Sequence, residues 1–446
     1  MATIDPSKQM QDTARSAAEV AQQAGAQQAA VQAARVRTVE VEWRDGRLER
    51  MKEATTRGLT VEIFVDGRYS QVGTSDLRPG AVKSFVEEAV AVARKLQPDP
   101  FRALPDPKLY QGQARIDLDM VDPSQGALTA VGRRERAQAA EAGARGVKGA
   151  AGILSVTTGF SDDLGEIFRV HTDGFEGTRR GTSFTVSAEV SVKDPDGRRP
   201  EDWDLGFARH VGAIPAPEAV GRKAAERAVA RIGSRKGESA AMTVIVDARA
   251  ANRLVATLVG PLSGMSLQQK QSCLEGKLGQ QVGSALLDVA DDPLVPRGLE
   301  SRLFDGEGLA ARRFPVFEKG VLRSYYIDTY YGRKMRLEPT TRSASNLAWT
   351  LGTKGPEGLA ADAKEAMIVT DFLGGNSNGT TGDFSLGVQG YRVRGGRIAE
   401  PVGEMNMSGN LLEVWKRLVA VGNDPYPYSK LRTPTLVFEG VQLAGV

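Results

Sequence analysis

Gly374-Gly375-Asn376-Ser377-Asn378-Gly379-Thr380-Thr381-Gly382 is followed by Asp383-Phe384-Ser385, Gly387, Gly390-Tyr391 and the turn Arg394-Gly395-Gly396. Glu400-Pro401-Val402, Met407-Ser408-Gly409-Asn410-Leu411, Trp415 and Val421-Gly422-Asn423-Asp424 complete the run. Glycine frees the backbone for tight turns. Residues 374–382 therefore read as a hairpin-type connection into a strand over Phe384–Arg394. Glycine amides also cradle phosphate, but the lysine and the helix that such a cradle needs do not follow.

Upstream of this run, a buried-looking strand at Met242–Val246 leads to Asp247, which can cap a helix over Ala248–Val259 that ends at Gly260-Pro261. Further strands read at Ala311–Phe317, Val321–Ile327, Ala366–Leu373 and Thr435–Gly440. Short, polar Gly233–Ser239 marks a domain boundary. Before it, Thr38–Trp43 and Leu59–Val65 alternate in polarity, and Arg44-Asp45-Gly46 and Asp66-Gly67 turn them into an antiparallel meander with Tyr69–Gly73. Pro79 opens a helix through Lys95, and a Pro-rich connector runs from Gln97 to Pro107. A long helix follows from about Pro123 to Ala144. Strands read at Gly152–Ser161, Glu166–Thr172, Phe175–Val192 and Asp204–Val211, then a helix at Pro217–Ile232. Residues 1–25 read as a surface helix with Asp5 or Ser7 as cap. Ala26–Arg37 is helix-prone in composition, yet a strand over about residues 30–36 is the better reading of the whole. The fold class is α+β, in two domains: 1–235, antiparallel sheets with flanking helices, and 240–446, strand-rich.

Composition excludes several functions. Of 446 residues, 41% are apolar and 25% charged, as in a globular chain. The formal net charge of +3 gives no strong field for nucleic acid. One cysteine, Cys273, permits no internal disulfide and fits a reducing compartment. No apolar run reaches the ~18 residues that span a bilayer, and Met1–Asp12 lacks a signal-peptide pattern. A cytoplasmic protein without membrane contact is the expectation. Only two histidines, His171 and His210, are present, so short-spaced histidine zinc motifs are absent. Both read as hydrogen-bonded or surface turn residues. Cys273 reads as a small apolar side chain, and Tyr325-Tyr326 and Tyr330-Tyr331 as aromatic packing or a grip on peptide.

The ordered pieces from Gly374 to Asp424 resemble the C-terminal domain of the TldD/PmbA family, the peptidase-related modulators of gyrase. Thr74-Ser75-Asp76-Leu77, His171-Thr172-Asp173-Gly174-Phe175 and Phe304-Asp305-Gly306-Glu307-Gly308 resemble family segments in the family's order, so the likeness covers about residues 35–446. The Gly-Asn-Leu…Trp…Val-Gly-Asn-Asp run resembles the PmbA (TldE) branch. The resemblance implies a zinc protease complex in which TldD-type subunits carry H-E-x-x-x-H on a helix and a C-terminal cysteine ligand. Here those positions are Ala256, Thr257 and Pro261. Taken alone, Ala256–Pro261 reads as a core helix ending at Gly-Pro; the family order makes it a degenerate zinc helix.

The resemblance therefore implies a non-catalytic subunit with no catalytic residue, no metal and no cofactor of its own, with zinc on a TldD-type partner. It would pair as a heterodimer, or as a homodimer when alone, and act on unfolded peptides. Gly374, Gly375, Asn376, Ser377, Asn378 and Gly379 would then line the inner cavity and touch substrate backbone. The alternative is a regulator of gyrase or another partner, without proteolysis and without direct nucleic-acid contact.

Overall fold

In a computed structural model, which describes residues 6–445, the chain forms two α+β units. The candidate cap Asp5 lies outside the described residues. The first unit holds α1 (Pro6–Gln23), β1 (Gln28–Arg44), β2 (Arg47–Val65), β3 (Arg68–Thr74), α2 (Pro79–Ala93), α3 (Ala130–Arg145), β4 (Ile153–His171), β5 (Glu176–Val192), β6 (Glu201–Ala208) and α4 (Pro217–Ala230). Its strands make one antiparallel sheet ordered β3-β2-β1-β4-β5-β6.

Successive strand side chains point to opposite faces. On β4, Val156 and Phe160 pack under α3 and α4, while Phe168 and Val170 belong to the cluster under α1 and α2. Both helix pairs therefore cover the same sheet face, side by side. Small residues allow the helices to lie close: Ala14, Ala17 and Ala21 of α1, and Ala140, Ala144, Ala224 and Ala228 of α3 and α4, are all 0% exposed. Asp162, of the same parity on β4, falls between the two apolar clusters.

Three expectations need correction here. β4 is one strand of 19 residues and runs straight through Asp162–Gly165, where an interruption was expected. The acidic pair looks like a turn, but Asp162 is held by Arg133 (2.5 Å) and Gln125 (2.6 Å). α3 starts at Ala130, because Thr129 Oγ1 caps it by accepting from Gly132 N (3.0 Å); residues 123–128 precede the helix. β6 ends at Ala208 rather than Val211. The strand expected over about residues 30–36 is present within β1, which begins at Gln28, since pairing with β2 and β4 on both sides outweighs helix propensity.

The second unit holds β7 (Ala240–Val246), α5 (Ala248–Val259), α6 (Gly264–Gln268), β8 (Val289–Asp291), β9 (Phe314–Glu318), β10 (Val321–Leu322), α7 (Thr329–Met335), β11 (Leu347–Trp349), α8 (Pro356–Ala363), β12 (Ala366–Ser377), β13 (Asp383–Arg394), β14 (Arg397–Asn410), α9 (Leu411–Lys416), β15 (Leu418–Val421) and β16 (Leu436–Ala444). A small sheet runs β10-β9-β8-β11, and a larger one β14-β13-β12-β7-β16-β15. β14 also pairs with β16, which closes the larger sheet into a barrel-like form. β14 was not expected as a strand. Pro401 and three glycines or positive-φ positions interrupt its pattern, Glu404 among them at φ 55°; β13 pairs with it on both sides of a register shift at residues 403–404, and β16 pairs with residues 406–408. The expected strands at Ala311–Phe317 and Val321–Ile327 shorten to β9 and β10.

Arg249 of α5 ties the two units together. Its Nη1 donates to Asp202 Oδ1 (3.0 Å) and Trp203 O (2.6 Å), and its Nη2 to Thr370 O (3.1 Å).

Candidate functional site

α5 is amphipathic and starts on a cap: Asp247 Oδ1 accepts from Arg249 N (2.9 Å). Its apolar face, with Leu254, Val255 and Leu258 at no more than 1% exposure, seats it on the barrel. The α-helix ends at Val259, and Gly260–Leu262 tighten into a 3₁₀ turn. Ser272 Oγ donates to Pro261 O (2.7 Å), and Cys273 N donates to Gly379 O (2.7 Å). The segment after the helix thus bridges its end to the β12–β13 hairpin. Ala256, Thr257, Pro261, Ser377 and Gly379 consequently line one cavity of about 510 Å³. The structure brings together the end of α5 and part of the glycine-rich segment, more than 110 positions apart. Gly260 at the helix end also lines it, and Arg253, Ser266, Gln271 and Leu386 complete the lining. Sequence reading missed these four, though Arg253 stands one turn before Ala256 on the same helix face.

The glycine-rich segment is only partly a loop. Gly374–Ser377 are strand, paired with Phe384–Gly387 across the hairpin. Gly375, at φ 106°, approaches β13 so closely that a Cβ there would stand 2.2 Å from Ser385 O. Only Asn378–Gly382 turn: Asn378 N donates to Asp383 O (2.8 Å) and Thr380 N to Asn378 Oδ1 (2.9 Å). Gly375–Gly379 are exposed. β7 pairs with β12 only over residues 366–369. Beyond Val369, among the described residues, the β12 edge on that side has no strand partner.

A catalytic zinc needs three imidazole, thiolate or carboxylate ligands and a base for its water. The donor set here does not fit. Ala256 offers a methyl group, Pro261 a pyrrolidine, and the Thr257 hydroxyl is already spent on Leu254 O (2.6 Å). Burial pushes the Cys273 thiol up, away from the thiolate. Among the described residues, no three His, Cys, Asp or Glu side chains cluster as metal ligands. We expect the purified chain, freed of any histidine tag, to carry no stoichiometric zinc by elemental analysis. One tightly held zinc per chain would refute this account of the cavity.

The two histidines sit elsewhere. His171 is buried, not on the surface. Its Nε2 accepts from Arg169 Nε (2.8 Å), so the neutral ring carries its proton on Nδ1, 3.0 Å from Tyr110 Oη, which in turn donates to Asp173 (2.9 Å). Burial and the Arg169 charge push its pKa down to about 3. His210 Nε2 lies 2.9 Å from Asp119 O. Tyr325 and Tyr326 are core residues, and Tyr326, Tyr330 and Tyr331 line a second, polar cavity of about 580 Å³ between the two units. There Arg102 stacks 3.5 Å from the Tyr330 ring centroid, and Tyr330 Oη donates to Asp99 (2.8 Å).

Glu307 lines the same polar cavity and accepts from Thr329 N (2.9 Å). Burial, with the Asp305 and Asp328 charges adding to it, pushes its pKa up from 4.5 to about 7. Between these values the folded chain holds a proton that the unfolded chain has lost, so this group's contribution to stability falls as pH rises. We expect Glu307→Gln to gain stability relative to the parent chain as pH goes from about 4.5 to about 7, read as the difference in Tm between the two. A constant difference would show that Glu307 titrates normally.

A barrel-like α+β unit packed on a helix-covered sheet, with a helix ending at a cavity and no cluster of metal donors among the described residues, defines the class of scaffold. Models described as PmbA/TldA metallopeptidase domain 1, central domain and C-terminal domain match residues 29–93, 125–232 and 239–445. The chain belongs to the TldD/PmbA metallopeptidase family. It is 28% identical to "Metalloprotease PmbA" of Escherichia coli, over 91% of this chain and 90% of that one. A PmbA homolog of Haemophilus influenzae is 26% identical, over 96% and 94%. Among solved structures, a candidate modulator of DNA gyrase from Bacteroides thetaiotaomicron superposes with TM-score 0.94 at 34% identity, covering 98% of each chain. TldE of Thermococcus kodakarensis shares the fold, with TM-score 0.84 at 18% identity, covering 98% of this chain and 100% of that one.

Proposed function

We propose that this chain is the non-catalytic, PmbA/TldE-type subunit of a TldD/TldE zinc protease complex acting on unfolded peptides in the cytoplasm. The zinc belongs to a TldD-type partner. The observation that carries this reading is the lining of the cavity at the end of α5: the scaffold is kept, and Ala256, Thr257 and Pro261 supply none of the metal's donors. The unpaired β12 edge beyond Val369 supports a substrate mode in which an extended peptide adds as a strand. Main-chain hydrogen bonds tolerate any sequence, which suits an enzyme of unfolded chains. Gly374–Gly379 would then touch substrate backbone.

Co-purification of the tagged chain from its own cells, with zinc analysis and a peptidase assay, tests the reading. We expect a homologous subunit with an intact H-E-x-x-x-H helix to co-elute, and zinc and activity to follow that subunit. Recovery without it, or activity from the isolated chain, would favour the regulatory alternative or an independent hydrolase.

Restoring the motif tests the geometry. We expect Ala256→His, Thr257→Glu and Pro261→His together to give no peptidase activity from this chain alone. Residues on an α-helix advance about 100° each, so positions five apart diverge unless the helix end is distorted. The change to 3₁₀ geometry at Gly260 alters that end, but Cys273 follows the helix and supplies no C-terminal third ligand. Zinc-dependent cleavage by the triple variant alone would overturn the pseudo-subunit reading.

A further inference from the structure

The sheet face opposite the helices carries another cavity, of about 430 Å³, where the second unit folds against β4 and β5. Gly165 and Gly181 stand directly opposite each other in the β4–β5 register, with Val36 beside Gly165 on β1. Two missing side chains on adjacent strands open the floor of the cavity: a Cβ on Gly165 would meet only Gly181 O, at 3.9 Å. Leu303 and Phe304 form part of the wall.

Four arginines line this space: Arg179, Arg180, Arg209 and Arg302. Arg302 is 6% exposed; its Nη2 donates to Ser343 O (2.7 Å) and Thr341 Oγ1 (3.3 Å), its charge favours the ionised forms of the buried Asp291 and Asp305, and its Nε is buried without a partner. Arg209 donates to Thr182 O and Leu299 O, and its Nε is likewise buried and unpartnered. The guanidinium of half-buried Arg179 makes no hydrogen bond or ion pair among the described residues. Burial and the charge of Arg302 both disfavour its protonated form, with Arg209 adding to them and Glu300 and Asp305 opposing. The acids in the lining are engaged elsewhere or exposed. Asp119 pairs with Arg297 (2.5 Å) and His210 (3.2 Å), Glu166 accepts from Ser7 (2.8 Å) on the helix-covered side, and Asp117 lies at the surface.

Desolvating a guanidinium without an acceptor is costly, and placing several together adds repulsion. Buried donors left unpaired call for a missing partner. The guanidinium fork matches carboxylate and phosphate oxygens. We propose that this cavity is a subsite for an oxyanion group, a carboxylate or a phosphate, bound between Arg179, Arg209 and Arg302 over the Gly165–Gly181 floor. The ligand is either the free terminal carboxylate of a peptide or a small free anion. The subsite rests on its own residues and does not depend on the role assigned to the α5 cavity.

The test is calorimetric titration of the full chain with three probes: an unstructured pentapeptide with a free C-terminus, the same peptide as its C-terminal amide, and inorganic phosphate. The parent chain is compared with Arg179→Gln, which removes an unpaired group, and Gly165→Val, which fills the floor without altering charge. Circular dichroism verifies that each variant is folded. We expect at least one oxyanion probe to bind the parent chain, and both variants to bind it at least tenfold more weakly. Preference for the free acid over the amide assigns the ligand to a peptide terminus. Phosphate binding with no such preference assigns it to a small anion. Absence of binding by every probe, or binding unchanged in both variants, overturns the proposal.

Discussion

Asp162→Ala is expected to destabilise the chain by about 3–5 kcal/mol. Asp162 and Arg133 form an ion pair at 2.5 Å with side chains 0% and 4% exposed, between two apolar clusters. Arg133 Nη2 also donates to Asp162 Oδ1 (3.0 Å), as does Gln125 Nε2 (2.6 Å). Removing the carboxylate leaves a guanidinium and an amide buried with no acceptor for these bonds, although Leu128 O still takes Arg133 Nη1 (2.7 Å). The loss is dominated by the uncompensated charge rather than by the net worth of the pair. The double variant Arg133→Met/Asp162→Leu should therefore recover most of it, to within about 1 kcal/mol of the parent. Urea denaturation followed by circular dichroism measures both. A single variant as stable as the parent would mean that the pair is solvated in solution.

Gly221→Val is expected to cost more than about 3 kcal/mol, and to reduce the yield of folded protein. A Cβ at Gly221 of α4 would stand 1.7 Å from Ala140 O of α3, and one at Gly143 of α3 would stand 2.1 Å from Glu218 O. The two helices meet backbone to backbone at reciprocal glycines. No rotamer relieves such an overlap, so the helices must separate and open the alanine-lined cluster beneath them. Because Ala140, Ala144, Ala224, Ala225 and Ala228 are small, they cannot refill the gap. A Tm within one or two degrees of the parent would show that the helices do not approach as described.

The candidate site divides into legible and hidden parts. The lack of metal donors at Ala256, Thr257 and Pro261 is a matter of residue chemistry and can be read directly. Their meeting with Ser377 and Gly379 is not, because it depends on β12 pairing with both β7 and β13 and on the bridge through Ser272 and Cys273. The arginine-lined cavity gave no motif at all. Arg179 and Arg302 are far apart in the chain and meet only when the second unit packs on the first sheet.

The family likeness came from the order of spaced motifs, and the sequence by itself determined the alternation of β1 to β3 and the helices opened by Pro79, Asp247 and Pro217. These rest on period, caps and turn residues, which act over a few neighbours. Tertiary structure decided what local chemistry left open. It kept β4 continuous through Asp162 and Asp163, because Arg133 on α3 compensates the buried charge. It carried β14 past Pro401 and Glu404, because β13 pairs with it on both sides of the register shift at residues 403–404. It drew Gly374–Ser377 into a strand, because β13 offers them a ladder. In each case a neighbouring strand or helix supplied the hydrogen bonds or the countercharge, and so overruled a local preference worth only about 1 kcal/mol per residue.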